Sequence, residues 1–347
     1  MISVIMLTYN REQLVSRAIE SILAQTYSDF ELIIVDNGST DHSGKIADEY
    51  AEKDSRIRVI HRGRGNIGAG RNTGLDAARG EYIAFIDDDD WAEPDFLEFL
   101  WKLLEENQAD VSICGAADKV FDERKVMTAE EALIELLWRK RYTAGFPMKL
   151  FRRALTKGLR FSEADRYDDI GLIYKLFARA GTVAYHGLPK YHVLRHSGNN
   201  SAWTTDHRLL TPETLEEYLR AYRVRTEWLS GLFPDRAAAF QYFEWSFMIS
   251  MVEKITRLEL LDCAAIRERL AAALRTNLGE FLSCPEILDF EREWVERYIA
   301  AQPVGGDIHE NNRAVRRYGK LCHLRNIQAP AGRLSGGKGV GAAPDSD

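Results

Sequence analysis

The segment from residue 81 to residue 91 constrains the fold of this chain more than any other. Five apolar residues, Tyr82 to Ile86, lead directly into four consecutive carboxylates, Asp87 to Asp90. An apolar run of this length between polar residues is typical of a strand buried on both faces of a parallel sheet. Ligands of open α/β sheets bind just outside the carboxyl ends of such strands, so we expect the acids to lie at a functional edge.

The four acids repel one another unless a cation neutralises them. Two unit charges about 4 Å apart repel by roughly 1 kcal/mol in bulk water, and several-fold more at a lower effective dielectric. Carboxylate oxygens suit hard ions, so the run predicts a divalent metal, Mg²⁺ or Mn²⁺, as cofactor. The alternative interpretation is a solvated acidic turn that caps the helix starting near Pro94.

Composition places the chain among ordinary globular proteins. Of its 347 residues, 45% are hydrophobic and 29% are charged, and the net charge of −7 gives no reason to expect nucleic acid as a partner. The four cysteines are far apart and show no metal-binding or disulfide spacing, which favours a reducing cytoplasm. The N-terminus has no basic segment or cleavage site, so we expect a strand there rather than a signal peptide. No apolar run approaches the length of a transmembrane helix.

Apolar runs alternate with helical patterns over the first 115 residues. Strands are predicted at 2–7, 30–35, 57–60, 82–86 and 111–114. Helices are predicted at 11–25, 43–53 and 95–106, and a further helix follows a glycine-rich loop and ends at Gly80. This order predicts an α/β fold with a Rossmann-like, mostly parallel central sheet flanked by crossover helices. Further along, short extended pieces are predicted at 148–155 and 160–161, and a strand at 183–194 that Pro189 interrupts.

Strand signals disappear at Pro212. Four or five helices are predicted up to about Ala301, and aromatic residues at helical spacing favour a core there over a sugar-stacking platform. The segment 313–338 contains seven Lys or Arg and no acid. We therefore predict an α/β domain over 1–205, an all-α C-terminal region over 206–312 and a basic, disordered tail over 313–347. The helical region is compatible with homo-oligomer formation. The basic tail could contact an anionic membrane surface or could simply be a solvated, disordered segment.

A glycine-rich loop lies between the third predicted strand and the next helix. Its segment Gly63-Arg-Gly65-Asn66-Ile-Gly68 matches the GxGxxG pattern of dinucleotide sites. That fingerprint belongs to the first strand–helix turn of the fold, which here is Thr8 to Arg11 and has no glycine. A dinucleotide site also leaves the four acids unexplained. The loop remains suited to meeting a ligand phosphate, helped by Arg71 and the helix N-terminus.

Four motifs follow one another in the first hundred residues: Thr8-Tyr9-Asn10, Val35 to Asp41, Asn66 to Gly74, and Gly80 to Asp90. Their order and spacing resemble glycosyltransferase family 2, whose members have the GT-A fold. A looser resemblance extends through Phe161 to Asp169 and Pro189 to Ser197, so the whole resemblance covers residues 1–205. It implies an inverting transfer of a sugar from a nucleotide-diphosphate donor, with a divalent metal as cofactor.

The resemblance implies roles for residues at the predicted strand ends. Asp169 is the expected catalytic base, which takes the proton of the acceptor hydroxyl. Asp89, the second acid of an Asp-x-Asp motif, is the expected metal ligand. The residues expected to contact the donor nucleotide are Thr8, Tyr9, Asn10, Asp36, Asn66, Arg71, Asp87 and Asp88. The family usually has Glu before the base, whereas this chain has Asp168, and the alternative is that both acids merely cap the following helix.

Further side chains could contact the diphosphate or the acceptor, namely Trp91, Asp168, Arg195 and His196. Packing beneath the acidic loop is an equal alternative for Trp91, and a surface ion pair for Arg195. The leading hypothesis is a cytoplasmic glycosyltransferase with a UDP-sugar donor and a glycan or lipid-linked acceptor. It would act in surface polysaccharide synthesis, at the inner face of the membrane if the tail binds there. The alternatives are a nucleotide-dependent oxidoreductase using Gly63 to Gly68 and a non-catalytic sugar-nucleotide-binding protein.

Overall fold

The structure of the chain, a computed structural model, describes residues 1–117, 121–165, 167–196, 199, 202–204 and 206–300, and the statements below concern these residues. Nine strands are present there: β1 (Ile2–Thr8), β2 (Phe30–Asp36), β3 (Ile57–His61), β4 (Tyr82–Asp87), β5 (Trp91–Ala92), β6 (Val111–Ala116), β7 (Arg124–Thr128), β8 (Lys149–Arg152) and β9 (Thr182–His192). All nine belong to one sheet.

The sheet is parallel in its first half and mixed in its second. Hydrogen-bonded neighbours follow the order β3-β2-β1-β4-β8-β6-β9-β5, and β7 also pairs with β9. Strands β1 to β4 run parallel to one another. Strand β8 is antiparallel to both β4 and β6, whereas β9 runs parallel to β6. The predicted, mostly parallel sheet is therefore confirmed, with β8 inserted in the opposite direction near its centre.

Several predictions for the second half of the sheet are wrong. The run at 183–194 is not interrupted at Pro189, because β9 continues to His192. Pro189 lies opposite Gly115 of β6 where the register shifts, and at such an irregularity its missing N–H is tolerated. The extended piece at 148–155 shortens to β8, and 160–161 is not a strand. Strands β5 and β7 were not predicted, since one has two residues and the other is mostly exposed.

The described helices are α1 (Val15–Leu23), α2 (Ser43–Ala51), α3 (Ile67–Ala77), α4 (Phe96–Glu106), α5 (Ala129–Trp138), α6 (Asp168–Arg179), α7 (Pro212–Leu232), α8 (Ala237–Arg257), α9 (Ala264–Thr276), α10 (Leu278–Ser283) and α11 (Asp289–Val295). The five from α7 onwards form the predicted helical region. Helix α5 begins with a capping box between Thr128 and Glu131. Helix α7 begins where Thr211 accepts a hydrogen bond from the amide of Thr214, with Pro212 at the first helical position.

Apolar side chains cover both faces of the sheet. Successive residues of a strand point to opposite faces, and Val4 and Ile5 of β1 accordingly belong to two different hydrophobic clusters. The cluster with Val4 includes Phe96 of α4. The cluster with Ile5 extends through α5 and α6 into the helical region, where it includes Phe281 of α10 and Val295 of α11. Most aromatic residues of that region are buried, as predicted: Tyr218, Tyr222, Phe240, Tyr242, Phe243 and Trp245.

In the described part of the chain, no helix combines the length and the apolar character needed to cross a bilayer. The predicted basic tail at 313–347, and the membrane contact expected of it, lie outside the described residues. The division of the chain at residue 205 and self-association through the helical region stay predictions.

Candidate active site at the carboxyl edge of the sheet

Polar side chains end three neighbouring strands at one edge of the sheet. Thr8 ends β1, Asp36 ends β2 and Asp87 ends β4. Strand β1 lies between the other two, with Thr8 in register with Asp36 and Leu7 in register with Asp87. Because the carboxyl ends of parallel strands meet at the same edge, three residues predicted from separate motifs lie side by side.

Arg71 connects the acidic run to the region of the predicted base. It extends from α3 and donates from Nη1 to both carboxylate oxygens of Asp168, each at 3.0 Å, while its Nη2 lies 3.7 Å from Oδ1 of Asp87. The ring centroids of Phe146 and Phe161 lie 5.7 and 5.5 Å from the guanidinium carbon, a separation that favours cation–π attraction. One nearly buried cation therefore bridges a carboxylate at the end of β4 and one at the start of α6.

Asp168 and Asp169 form the first turn of α6. Burial raises the pKa of Asp168, and the Arg71 guanidinium opposes that shift. Asp169 is only partly buried, and its Oδ1 accepts a hydrogen bond from the amide of Ile170 at 2.7 Å, within the first turn of α6. Enclosure by protein atoms raises the pKa of Asp87 to about 6 against the effect of Arg71, and the nearby acids, including Asp169, add to the rise. Asp169 therefore lies within electrostatic reach of the acidic run.

Two acids of the run are held by neighbouring loops. Oδ2 of Asp88 accepts a hydrogen bond from the amide of Tyr9 at 3.2 Å, and its Oδ1 lies 3.8 Å from Nε of Arg11. Oδ1 of Asp90 accepts one from the amide of Leu194 at 2.8 Å. Burial raises the pKa of Asp88 to about 7 and that of Asp90 to about 8, and like-charged neighbours contribute. The interpretation as a solvated acidic turn is therefore wrong.

Asp89 shares one carboxylate oxygen with two side chains from the segment after β9. Nε2 of His196 lies 2.9 Å from Oδ2 of Asp89, and Nδ2 of Asn199 donates to the same oxygen at 3.1 Å. In the residues that the structure describes, no group of three or more His, Cys, Asp or Glu side chains is arranged to hold a metal. Mg²⁺ and Mn²⁺ usually complete their ligand sets with water and substrate phosphates. A carboxylate and an imidazole, as in Asp89 and His196, are suitable protein ligands for such a metal, with water and substrate phosphates as the remaining ligands.

Trp91, the residue after the acids, packs between protein groups. The guanidinium carbon of Arg17 lies 4.0 Å from its ring centroid, and the ring of His192 stacks nearly parallel to it at 4.7 Å. Nη2 of Arg17 also donates to the backbone carbonyl of Asp89 at 2.7 Å. These contacts favour a supporting role for Trp91 beneath the acidic loop, and its contact with an acceptor stays a prediction.

Asp36 is held on two sides at the end of β2. Its Oδ1 accepts a hydrogen bond from the amide of Ser39 at 3.0 Å, and its Oδ2 lies 2.9 Å from Nδ1 of His61. Nε2 of His61 lies 3.0 Å from Oδ1 of Asp48 on α2. Burial opposes ionisation of Asp36, but hydrogen bonds from Ser39 and His61 outweigh it and lower its pKa. Asp36, followed by Asp48, raises the pKa of His61. Asp36 is thus an ionised acceptor with a fixed orientation.

The glycine-rich loop packs against the turn that follows Asp36. Nδ2 of Asn37 donates to the carbonyl of Gly65 at 2.8 Å. Gly38 has a φ of +82°, and a Cβ atom there would lie 2.6 Å from the backbone nitrogen of Arg64, so this turn requires glycine. The Arg64 guanidinium carbon lies 5.2 Å from the ring centroid of Tyr9. The loop therefore borders the same end of the site as Asp36.

Asn10 and Asn66, both predicted to contact the donor nucleotide, make hydrogen bonds within the loops around the site. Oδ1 of Asn10, whose φ is +52°, accepts a hydrogen bond from the amide of Thr40 at 2.8 Å. Oδ1 of Asn66 accepts one from the amide of Ala69 at 2.9 Å and so caps α3. Arg195 is exposed. Direct contacts from these residues to a donor or a diphosphate stay predictions.

Three residues of the site, Arg17, His61 and Asn199, were missed by sequence reasoning. Arg17 is one of several polar residues of an amphipathic helix, where no pattern distinguishes it. His61 ends β3 as Asp36 ends β2, so a systematic search of strand ends would have found it. No local pattern links Asn199 to Asp89.

Comparison with known proteins agrees with this geometry. The model of the family described as glycosyl transferase family 2 matches residues 3–169. GlyG of Streptococcus pneumoniae, named as a glycosyltransferase, is 30% identical over 219 residues, which cover 57% of this chain and 72% of GlyG. The chain belongs to glycosyltransferase family 2. Because it is a family 2 member, the oxidoreductase alternative for the glycine loop has no support.

Other similar proteins match this family 2 member over only part of their length or at low sequence identity. EpsH of Bacillus subtilis, also named as a glycosyltransferase, is 35% identical over 210 residues, and the match covers 56% of this chain but only 61% of EpsH. Residues 1–349 of S. aureus TarS share the fold, with a TM-score of 0.57 and 19% identity over 89% of this chain and 94% of that one. That TarS fragment has also been solved with UDP-GlcNAc and with UDP.

A mannosyltransferase from Pyrobaculum calidifontis, PcManGT, was solved in complex with GDP-Man and Mn²⁺. Its TM-score is 0.51, with 17% identity over 86% of this chain and 84% of that one. At such low identities these structures bear on the fold alone. The predicted GT-A fold with a helical C-terminal region is confirmed.

Proposed function

We propose that this protein is an inverting hexosyl- or hexosaminyltransferase. It moves a sugar from a nucleotide-diphosphate donor, a UDP-sugar, to a hydroxyl of a glycan or lipid-linked acceptor in the synthesis of a surface polysaccharide or related glycan. The observation that carries this proposal is the bridge from Asp168 through Arg71 to Asp87. It brings the predicted base region beside the predicted donor site, although the two lie far apart in sequence.

The donor would lie along the carboxyl edge, from β2 to β4. Asp36, ionised and oriented by His61, is suited to accept a hydrogen bond from an N–H of the nucleobase. Asp87 remains 48% exposed, so its free surface can reach the ribose and the donor sugar. The TarS complexes with UDP and UDP-GlcNAc are compatible with a uridine donor for a protein of this fold.

Asp89 and His196 would hold a divalent metal together with the diphosphate. When bound, the metal supplies Lewis-acid stabilisation of the negative charge that develops on the leaving nucleoside diphosphate. The Mn²⁺ in the PcManGT complex supports this choice of ion. The chain's own contribution is to fix the carboxylate, which Arg17 does through the backbone carbonyl of Asp89.

Asp169 would act as the base of a single displacement. The acceptor oxygen attacks the anomeric carbon, the bond from that carbon to the phosphate oxygen breaks, and the acceptor proton passes to the Asp169 carboxylate. Inversion requires the base on the sugar face opposite the leaving group. A half-buried carboxylate near the acidic run, but not directly paired with Arg71, meets the chemical requirement for a base.

A screen of nucleotide sugars, with mass-spectrometric detection of hydrolysis in the presence of Mn²⁺ or EDTA, tests the proposal. We expect Mn²⁺-dependent release of a nucleoside diphosphate from one donor, and loss of transfer in Asp169→Asn. The matched control is Asp76→Asn, which removes an exposed carboxylate whose only ion pair in the described residues is with Arg160. Nucleotide-sugar binding without turnover would instead identify a non-catalytic binding protein, and no binding of any donor would refute the proposal.

A further inference from the structure

The C-terminal helical region contributes an aromatic wall beside the predicted base. The ring of Tyr167, two residues before Asp169, lies 4.1 Å from the ring of Tyr218 on α7. Tyr218 in turn lies 4.5 Å from Trp203 and 6.3 Å from Tyr222. The start of α6 and the middle of α7 are thus joined by direct ring contacts. Tyr218 and Tyr222 are each only 6% exposed, so they support the surface near the predicted base from behind.

Arg139 places a positive charge at this wall. It ends α5 in the left-handed conformation, with a φ of +54°, and it is exposed. Its Nη1 donates to the hydroxyl of Tyr222 at 3.2 Å. Tyr222 raises the pKa of Arg139 against the opposing effect of burial, and Tyr218 and Asp169 add to the rise, so the guanidinium lies within electrostatic reach of the predicted base.

The Arg139 guanidinium has spare hydrogen-bonding capacity. An arginine carries five N–H donors in a planar fork that matches carboxylate and phosphate oxygens. Within the described residues, Arg139 makes one side-chain hydrogen bond, to Tyr222, and no carboxylate lies within 4 Å of it. Arg71, by contrast, is occupied by Asp168 and Asp87. Of these two arginines, Arg139 is therefore the one with donors left for a ligand.

An anionic ligand near the base needs such a cation. A negatively charged acceptor that approaches Asp169 also meets the charges of Asp168 and Asp87, and repulsion would exclude it unless a positive group compensates. A neutral acceptor needs no such compensation. A simpler role for Arg139, favourable interaction with the C-terminal end of the α5 dipole, accounts for its position but not for its hydrogen bond to Tyr222.

We propose that Arg139, oriented by Tyr222 and backed by Tyr218 of α7, forms an acceptor subsite that recognises a phosphate or carboxylate group on the glycan receiving the sugar. This inference rests on the proposed function, because it names the acceptor class for the same site. The acceptor substrate is accordingly an anionic saccharide, and the helical region takes part in its selection.

The test titrates small anions into the full-length protein saturated with Mn²⁺ and UDP, or GDP if UDP does not bind, so that the diphosphate position is filled. The probes are glycerol 3-phosphate and methyl glucuronide, which distinguish a phosphate from a carboxylate, with glycerol and methyl glucoside as neutral references. We expect at least one anion to bind roughly tenfold or more tightly than its neutral reference, and Arg139→Gln to lose most of that difference.

Variants separate recognition from stability. Arg139→Lys keeps the charge at the end of α5 and should keep the melting temperature, but it should weaken anion binding because lysine lacks the planar fork. Tyr222→Phe should weaken it also, by releasing the guanidinium from its hydrogen-bond partner. Arg275→Gln, at an exposed position of α9, is the matched control and should bind the anions like the wild type.

The two ways of failing are distinguishable. If neither UDP nor GDP binds with Mn²⁺, the proposed function fails, and the subsite falls with it. If a nucleotide binds but both anions bind no better than their neutral references, or bind Arg139→Gln as tightly as the wild type, only the acceptor inference is overturned.

Discussion

Nε2 of His196 lies 2.9 Å from Oδ2 of Asp89, although 107 positions separate the two residues in the chain. The carboxylate comes from the turn after β4, and the imidazole from the segment after β9. Their convergence puts a carboxylate and an imidazole, both side chains that can bind a divalent metal, at one point of the sheet edge. This contact is the basis of the first prediction.

Replacing either member of this pair should impair the response to metal. Asp89→Asn should lower Mn²⁺-dependent turnover about a hundredfold, equivalent to roughly 3 kcal/mol of lost transition-state stabilisation. His196→Gln should raise the Mn²⁺ concentration for half-maximal activity about ten- to a hundredfold, a range typical of residues that orient or complete a metal's ligands. His42→Gln is the control, because its ring is exposed and pairs only with Glu12 among the described residues. An unchanged Mn²⁺ requirement in both site variants would rule out the assignment.

Removing Arg71 should destabilise the protein strongly. Its side chain is 12% exposed and that of Asp168 is 4% exposed, and breaking a buried pair from one side costs about 3–5 kcal/mol because a charge is left without a partner. Urea unfolding of Arg71→Met measures this loss. The double variant Arg71→Met, Asp168→Asn should recover part of the stability without recovering donor hydrolysis. If the double variant were less stable than Arg71→Met by the full cost of Asp168→Asn measured alone, the two losses would be additive and the pair would not be coupled.

The contribution of His61 to stability should fall as the pH rises. Its pKa is raised above the ordinary 6.5 by Asp36 and then Asp48, so the ion pairs stabilise the fold fully below that value and the effect disappears as the pH passes through the raised pKa. Asp36 has a lowered pKa, so its contribution persists above 3.8 and is lost only in stronger acid.

The measurement compares urea unfolding of the wild type and His61→Asn at pH 5.5, 7 and 8.5. The difference between the two free energies of unfolding should be largest at pH 5.5 and smallest at pH 8.5. His42→Asn is the control, because its ring pairs only with Glu12 among the described residues. A difference that grows with pH would contradict the assignment. The donor KM of His61→Asn should also rise, since Asp36 loses the group that orients it.

Glu291 should anchor the last helices without affecting catalysis. Its side chain is fully buried and accepts hydrogen bonds from Tyr242 at 2.8 Å, from Ser246 at 2.5 Å and from the amide of Leu288 at 3.1 Å. Glu291→Ala leaves these donors without their acceptor, at about 1–3 kcal/mol for each donor that stays buried. We expect the free energy of unfolding, measured with urea, to fall by at least about 3 kcal/mol. Glu293→Ala, at an exposed position of α11, is the control and should leave it unchanged. A change in donor KM at a temperature where the variant is folded would argue for a second role.

The first half of the sheet and its polar edge could be predicted because the relevant signals are local. Each of β1, β2 and β4 is a short apolar run that ends in a polar residue, and parallel pairing brings those ends together without further information. The acids at 87 to 90 follow this rule directly.

The remainder of the site depends on contacts between distant segments. The stacking of Arg17, Trp91 and His192 requires β5 to pair with β9, and a two-residue strand carries no periodicity. Asn199 reaches Asp89 only because β9 continues through Pro189, which sequence rules for proline argue against. Arg139 ends a helix whose partner surface lies some eighty residues further along the chain, at Tyr222.

The continuity of one hydrophobic cluster from Ile5 of β1 to Phe281 of α10 has a practical consequence for engineering. Helix α6, which carries Asp169, packs between α5 and α7, so the predicted base rests partly on the C-terminal helical region. A chimaera that grafts the helical half of another transferase onto this chain would have to rebuild that shared interior before it could redirect acceptor choice. Exchanging specificity should therefore succeed through single substitutions around Arg139 and Tyr222 rather than through wholesale transplantation.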